Sequence, residues 1–487
     1  MNIFIIILIL LASVVSFVLL SLKAIRRLAG IFAAINLVAV LYFVWPYLSG
    51  AQKIFNGGWW FIDSFSALML LLVSILYLAT SLVSSRYIGH EHQEGIISDK
   101  RMRLYFSLLH LFALSMLVVL MANNTLVLWM ALEMTTLSSV FLVGLYKRKT
   151  SIEAAWKYAI ICSTGITLGL IGILLLGYGS GFNTSGTSVI LSLTDLAARV
   201  ATIPVPIAKL AFVFIFVGFG VKVGLVPMYS WLPDAHSKAP SPISAFFSGI
   251  LLNVALYAII RFQVLTNAII GSHIWTTNFF LIFGVMSVLL PVFMMLTQKN
   301  YKRLLAYSSI EHMGLILLAL SVPPLGIIAA VIHMIGHTLI KSSLFFGAGE
   351  ILTTYKTTDI DKVKNIFAVI PRTGVLFVLG ILAIIGLPPT ILFVSEYTMF
   401  SALIQAHLWL TIIIFAALSV IALAMLRLTI LMTLPGEVDE SIVTHKEKWN
   451  ITHVVMIVEI VLVVVAAFWF TSPAGMNFIN SIAQNLL

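Results

Sequence analysis

Charge is scarce in this chain: 9% of its 487 residues are Asp, Glu, Lys or Arg, against about 25% in soluble domains. With 61% hydrophobic residues and a mean hydropathy of +1.10, that deficit excludes an ordinary soluble fold. It predicts an all-α polytopic membrane protein, because lipid leaves backbone groups no partner outside their own helix. Cysteine is nearly missing. The single Cys162 falls in an apolar stretch, so neither disulfides nor a cysteine-ligated metal or iron–sulfur centre is available from this chain alone. A Walker loop, a Gly-x-Gly-x-x-Gly at a strand–helix junction, a Cys-x-x-Cys pair and a soluble domain are missing too. No ATP hydrolysis and no nicotinamide, flavin or iron–sulfur chemistry is expected of this chain, and no cofactor on it. If it pumps, the energy comes from a partner or from another ion gradient.

What is there begins with apolar runs bounded by charges, Gly or Pro. They give about fourteen spans, near residues 3–22, 29–48, 62–83, 104–121, 124–145, 155–177, 207–229, 241–261, 275–297, 303–321, 325–350, 373–402, 406–432 and 451–470. Met1–Leu22 has no basic n-region and no small-residue cleavage site, so it reads as a retained first span rather than a signal peptide. The net charge of +10 would suggest nucleic acid in a soluble protein, but it is sorted by loop. Alternate loops hold Lys23, Arg26, Arg27, Arg86, Lys100, Arg101, Arg103, Lys147, Arg148, Lys149, Lys238, Lys299, Lys302, Arg303, Lys356, Lys362, Lys364, Arg372, Lys446 and Lys448. The opposite loops hold only Lys53 and Arg199, with Lys209 at a helix entrance. This asymmetry puts the basic loops in the cytoplasm and both termini outside it, in a cell (inner) membrane. An odd number of spans would have mixed the two sets.

Two distant segments share a pattern, Gly224-Leu225-Val226-Pro227 in the seventh span and Gly386-Leu387-Pro388-Pro389 in the twelfth. Gly and Pro interrupting corresponding spans point to internal repeats with broken helices, and spans five apart would be inverted relative to each other. Gly-x-x-Pro is also common in membrane helices, so coincidence stays open.

The ionisable residues inside the spans are the functional candidates, since a charge at bilayer depth costs roughly 2.5–3.5 kcal/mol on insertion scales. Lys222 has no acidic residue within a helical turn. Glu133 in the fifth span must find a cation, a proton or an interhelical hydrogen bond. Glu153 and Lys157 stand four apart, suiting either an interfacial ion pair or a functional one. His333, His337 and Lys341 recur every four residues, which stacks them on one helical stripe able to relay protons. Two histidines four apart also suit zinc, but no third ligand or catalytic Glu sits between them, and no metal site is assigned. His312, beside Glu311, faces either a cavity or the interface. Glu396 follows the twelfth-span break and is placed to end a lateral row. Asp234, His236 and Lys238, where Pro233 and Pro240 break the chain, form either the mouth of a path or an ordinary polar turn. Glu350, Glu459 and His110 read as packing or end-of-helix residues.

The run from Lys222 to Ala245, with its Trp231-Leu232-Pro233-Asp234-Ala235-His236 centre, resembles the signature of the antiporter-like subunits of respiratory complex I, Mrp antiporters and membrane-bound hydrogenases. Lys302–Ile310, the His333/His337/Lys341 stripe and Gly386–Pro389 leading to Glu396 are similar as well. Leu251–Tyr257 and Ser308–Gly314 look most like the hydrogenase-4 component F branch. The resemblance covers spans three to thirteen. It implies two inverted five-helix repeats, residues 104–261 and 275–432, between an N-terminal part (1–103) and a C-terminal loop and helix (433–487). It further implies that Glu133 and Lys222 are the key pair of the first half, with Lys157 as the sixth-span base. Lys341 and Glu396 take the corresponding places in the second half, with His333 and His337 between. Asn253 stands where some complex I relatives carry lysine, which puts a central relay there in doubt unless water substitutes. The sequence ends after the last span, without the long lateral helix of the largest complex I relative.

The expected function is proton translocation within a respiratory or hydrogenase-type complex, with other membrane subunits and a peripheral redox module as partners. Glu133 would hold Lys222 protonated by pairing until a neighbour breaks the pair, and the proton would then pass through His337, His333 and Lys341 toward Glu396. An Mrp-type Na⁺/H⁺ antiporter subunit and a non-pumping scaffold are the alternatives. Rescue of a sodium-sensitive strain would favour the former. Unchanged coupling in a Glu133→Gln, Lys222→Ala double variant would favour the latter.

Overall fold

A computed structural model describes residues 2–18, 21–50, 54–56, 58–181, 191–436 and 447–486. Lys53 and Lys446 of the charge count lie outside them. The chain runs α1 (Asn2–Val18), α2 (Leu22–Leu48), a short antiparallel hairpin (Ile54–Asn56 with Phe61–Asp63), α3 (Ser64–Gln93), α4 (Asp99–Met121), α5 (Thr125–Val143) and α6 (Lys149–Gly179). It continues through α7 (Leu193–Ala198), α8 (Val205–Val223), α9 (Leu232–Lys238), α10 (Ser241–Phe246), a π-helical turn (Phe247–Leu251) and α11 (Leu252–Ile270). Then follow α12 (Ile274–Leu296), α13 (Tyr301–Leu320), α14 (Leu325–Tyr355), α15 (Ile366–Val369), α16 (Pro371–Ile384), α17 (Ile391–Ala406), α18 (Leu408–Thr433) and the helices Ile451–Phe470 and Pro473–Gln484. Among the described residues, 12 helices are long and apolar enough to cross a membrane, joined by the shorter apolar helices Ile3–Val18, Pro371–Ile384 and Ile391–Ala406.

The helices differ in how they are surrounded. The apolar window of Ser241–Ile270 is 100% buried and those of α13 and α14 are 94% buried, against 33% for α2 and α18. The former are therefore interior, and an interior membrane helix is where a polar side chain finds protein partners instead of lipid.

Two helices end where the Gly–Pro pattern predicted a break. α8 stops at Val223 because Gly224 takes φ +79 and turns its N–H back to the carbonyls of Gly220 and Val221, a left-handed cap that glycine adopts at little cost. α16 stops at Ile384, Gly386 takes φ +73, and α17 restarts at Ile391. The expected twelfth span, 373–402, is thus broken into two helices at the Gly–Pro segment. The π-helical turn at Phe247–Leu251 had no counterpart in the expected span 241–261.

Glycine also sets the approach of α6 to α8. Gly165, Gly169 and Gly172 follow Tyr158 along one face of α6, and a Cβ at Gly218 would lie 2.4 Å from the Gly169 nitrogen. Backbones so close bring the side chains at the end of this seam together.

Candidate functional site

Lys222 lies in the last turn of α8, one residue before that helix ends, where carbonyls with no helical partner favour a cation. It is fully buried. Its Nζ donates to Thr136 Oγ1 at 2.8 Å and to Tyr158 Oη at 2.7 Å. It also stands 4.8 Å from the Tyr158 ring centre. The Tyr158 hydroxyl continues to Ser139 Oγ at 2.8 Å.

The expected ion pair with Glu133 is not formed. Glu133 accepts from Ser163 Oγ at 2.6 Å, and its other carboxylate oxygen is buried with no partner. It sits one turn from Thr136 on α5. The physical reason is reach: two hydroxyls fill the space around the amine.

Lys157 corrects a second expectation. Its side chain is 43% exposed and pairs with Asp234 Oδ2 at 2.6 Å, not with Glu153. Arg303 reaches the other Asp234 oxygen at 3.2 Å. Asp234 therefore ties α6, α9 and α13 together. One residue on, Tyr158 takes the buried position, because successive residues point about 100° apart around a helix.

His236 is fully buried, with both ring nitrogens unpartnered. Its ring lies 5.7 Å from those of Phe247 and Phe345 and 6.3 Å from Trp231, and Trp231 packs at a tilt 4.7 Å from Tyr158. An aromatic wall with one imidazole in it thus separates the Lys222 cluster from α14. Asn253, just beyond the π-helical turn, donates to Thr338 Oγ1 at 2.9 Å and to the Met334 carbonyl at 3.3 Å. Its own carbonyl oxygen is buried and free of partners.

The second cluster sits among α13, α14 and α17. Lys341 Nζ donates to Ser308 Oγ at 2.7 Å and to the Leu305 carbonyl at 2.9 Å. His337 is fully buried with neither ring nitrogen partnered, and its ring is 5.4 Å from that of His312. His312 Nδ1 meets His333 Nε2 at 2.9 Å, and His333 Nδ1 meets Ser395 Oγ at 2.9 Å. Glu311 Oε2 stands 3.4 Å from His312 Nε2. Ser308, Glu311, His312 and Glu396 share a cavity of about 20 Å³, room for one water.

The order along the path differs from the expected one. His333, and not Lys341, neighbours the turn that carries Glu396, and His312 from α13 joins the row. The alternative left open for His312 resolves toward the interior.

Sequence reasoning missed Thr136, Tyr158, Ser163, Ser308 and Ser395, and set aside Glu459, whose carboxylate accepts from Ser342 Oγ at 2.7 Å. Hydroxyls are frequent in membrane helices, and spacing alone does not say which of them meet a lysine. Chemically, the arrangement offers two buried amines held by neutral oxygens and a string of imidazoles. Their unpartnered atoms call for water, because buried polar groups are rarely left unsatisfied.

Residues 122–422 match the family described as NADH:quinone oxidoreductase/Mrp antiporter, transmembrane. The hydrogenase-4 component F homolog of Methylacidiphilum infernorum (isolate V4) is 39% identical over 349 residues, 71% of this chain and 73% of that protein. Hydrogenase-4 component B of Escherichia coli (strain K12) is 34% identical over 348 residues, 69% of this chain and 49% of that protein, so the chain spans about half its length. In fold, a chain of the membrane-bound sulfane sulfur reductase, an archaeal respiratory membrane complex, superposes with a TM-score of 0.84 at 23% identity, covering 100% of this chain and 97% of that one.

Proposed function

The chain belongs to the NADH:quinone oxidoreductase/Mrp antiporter membrane family, and from that premise we propose that it is a proton-translocating subunit of a respiratory or hydrogenase-type complex. Its partners are other membrane subunits and a peripheral redox module that supplies the energy. The membrane is the cell (inner) membrane, with the basic loops in the cytoplasm. Counting α1 as one pass and the broken α16–α17 pair as another brings the passes to about fourteen and puts both termini outside. Residues 104–261 and 275–432 are read as inverted repeats.

One observation carries the reading. Lys222 and Lys341 are both fully buried in membrane helices, and among the described residues neither has a carboxylate within ion-pair distance. A cation that costs several kcal/mol to keep in a bilayer, and is held only by neutral oxygens, suits a group that gives up its proton.

In the mechanism, a change of charge on Glu133, imposed by a neighbouring subunit, alters the proton affinity of Lys222 through the Thr136 turn. The proton crosses the aromatic wall by His236 and Asn253 with water between them. It reaches Lys341 and then passes His337, His312 and His333 to Glu396. Lys157 and Asp234 brace α6 against the entrance from the basic side.

Lys222→Ala in the assembled complex is expected to abolish proton uptake into vesicles while the redox module still turns over its electrons. Pumping that survives this substitution would sink the mechanism.

A further inference from the structure

Three groups that no sequence spacing joined come together at the end of the second cluster. We propose that His312, His333 and Glu396 form a binding site for a divalent metal ion of borderline softness, with Zn²⁺ the best fit. One nitrogen from each imidazole and one carboxylate oxygen lie within 4.8 Å of one another. They come from three helices, α13, α14 and α17.

The outer nitrogens of both rings are already engaged. His333 Nδ1 is held by Ser395 Oγ at 2.9 Å, and His312 Nε2 faces the Glu311 carboxylate at 3.4 Å. This leaves His333 Nε2 and His312 Nδ1 pointing at each other, 2.9 Å apart. Metal-binding histidines are oriented in this way, the second ring nitrogen tied to a hydroxyl, carbonyl or carboxylate. A tetrahedral ion with bonds near 2.0–2.2 Å sets its ligand atoms roughly 3.4 Å apart, so the imidazoles part by about half an ångström.

The cavity of about 20 Å³ bordered by Glu311, His312 and Glu396 has room for one water as fourth ligand. Glu396 is the half-buried member. It also borders a mostly apolar groove of about 660 Å³ between α17 and α18, walled by Phe393, Tyr397, Phe400, Leu408 and Phe415.

A bound ion replaces the proton shared by the two imidazoles. That it therefore stops translocation rests on the proton-path reading; the metal site itself does not.

The test is binding, measured without turnover on the purified complex after chelator treatment, with Co²⁺ absorption and zinc K-edge spectroscopy as probes. One ion per chain is expected, with two imidazole nitrogens and a carboxylate oxygen in its shell. His312→Asn and Glu396→Gln are expected to abolish this signature. Ser395→Ala, which only frees the His333 ring, weakens binding about tenfold. His92→Asn, at the exposed His92–Asp99 pair, leaves it unchanged.

The same signature in His312→Asn and Glu396→Gln, or its loss in His92→Asn, would overturn the assignment and place the ion on the surface. Full affinity in Ser395→Ala would also count against it. Zn²⁺ that binds with the expected signature while pumping continues supports the site and overturns the path through it.

Discussion

Tyr158 and Lys157 are neighbours in sequence with opposite environments. The lysine faces outward to Asp234, and the tyrosine faces inward to the buried amine of Lys222. Scarcity made Lys222 legible from sequence, since a lone lysine among apolar residues stands out. Nothing comparable marked Tyr158, because tyrosine is ordinary in such a helix and only the rotation of α6 decides its direction. Its hydroxyl is one of two acceptors of the Lys222 amine. A hydrogen bond to a charged group contributes about 1.5–3 kcal/mol, so Tyr158→Phe is expected to slow proton translocation at least about tenfold. Assembly should be retained, as the ring still packs on Trp231. Vesicle acidification assays check this, and an unchanged rate would remove Tyr158 from the path.

At the scale of elements, the Gly–Pro breaks were readable, because Gly224 and Gly386 take left-handed backbone that glycine alone adopts freely. The close seam between α6 and α8 was not, since which glycines oppose each other depends on how the helices are set side by side. A Cβ at Gly218 would press on the Gly169 backbone at 2.4 Å, and backbone does not move aside as a side-chain tip does. Gly218→Val is expected to destabilise the fold by about 2–3 kcal/mol, read as a lower melting temperature and a smaller assembled fraction. At Gly386 the listener is the site itself, for a Cβ there would meet Glu396 Oε2 at 2.4 Å. Gly386→Ala is expected to displace that carboxylate and to lower pumping more than it lowers the melting temperature. The π-helical turn at Phe247–Leu251 had no signal in the sequence.

For the whole molecule, two polar anchors hold distant parts of the chain together. At one end Arg261 on α11 grips Asp63 before α3, with N–O distances of 2.5 and 2.7 Å in a buried setting. Arg261→Ala leaves the carboxylate buried alone and is expected to cost about 3–5 kcal/mol, seen as lost thermal stability in detergent. At the basic side Glu447 accepts from the backbone N–H of Arg372 at 2.7 Å, from Thr373 Oγ1 at 2.6 Å and from His453 Nε2 at 3.0 Å. Burial pushes the Glu447 carboxyl up, but the hydrogen bonds from His453, Thr373 and the α16 backbone outweigh it and hold the carboxyl at about 2. A group held below its ordinary value of about 4.5 stabilises the fold above that pH and loses the contribution as pH falls toward 2. Thermal stability is therefore expected to drop across that acid window, and the drop should shrink in Glu447→Gln.

Composition and long apolar runs decided that this chain is a bundle of membrane helices, because a sparsely charged run of about 20 apolar residues satisfies its backbone in lipid as a helix. It also singled out Lys222, Lys341, Glu133, His333, His337 and Glu396, since buried charge is too costly to be incidental. Only the tertiary structure decided who meets whom. It gave Lys222 two hydroxyls in place of Glu133, gave Lys157 to Asp234, and set His312 between His333 and Glu311. Those choices depend on helix rotation, on glycine-limited approach and on segments far apart in the chain, none of which a local pattern of residues encodes.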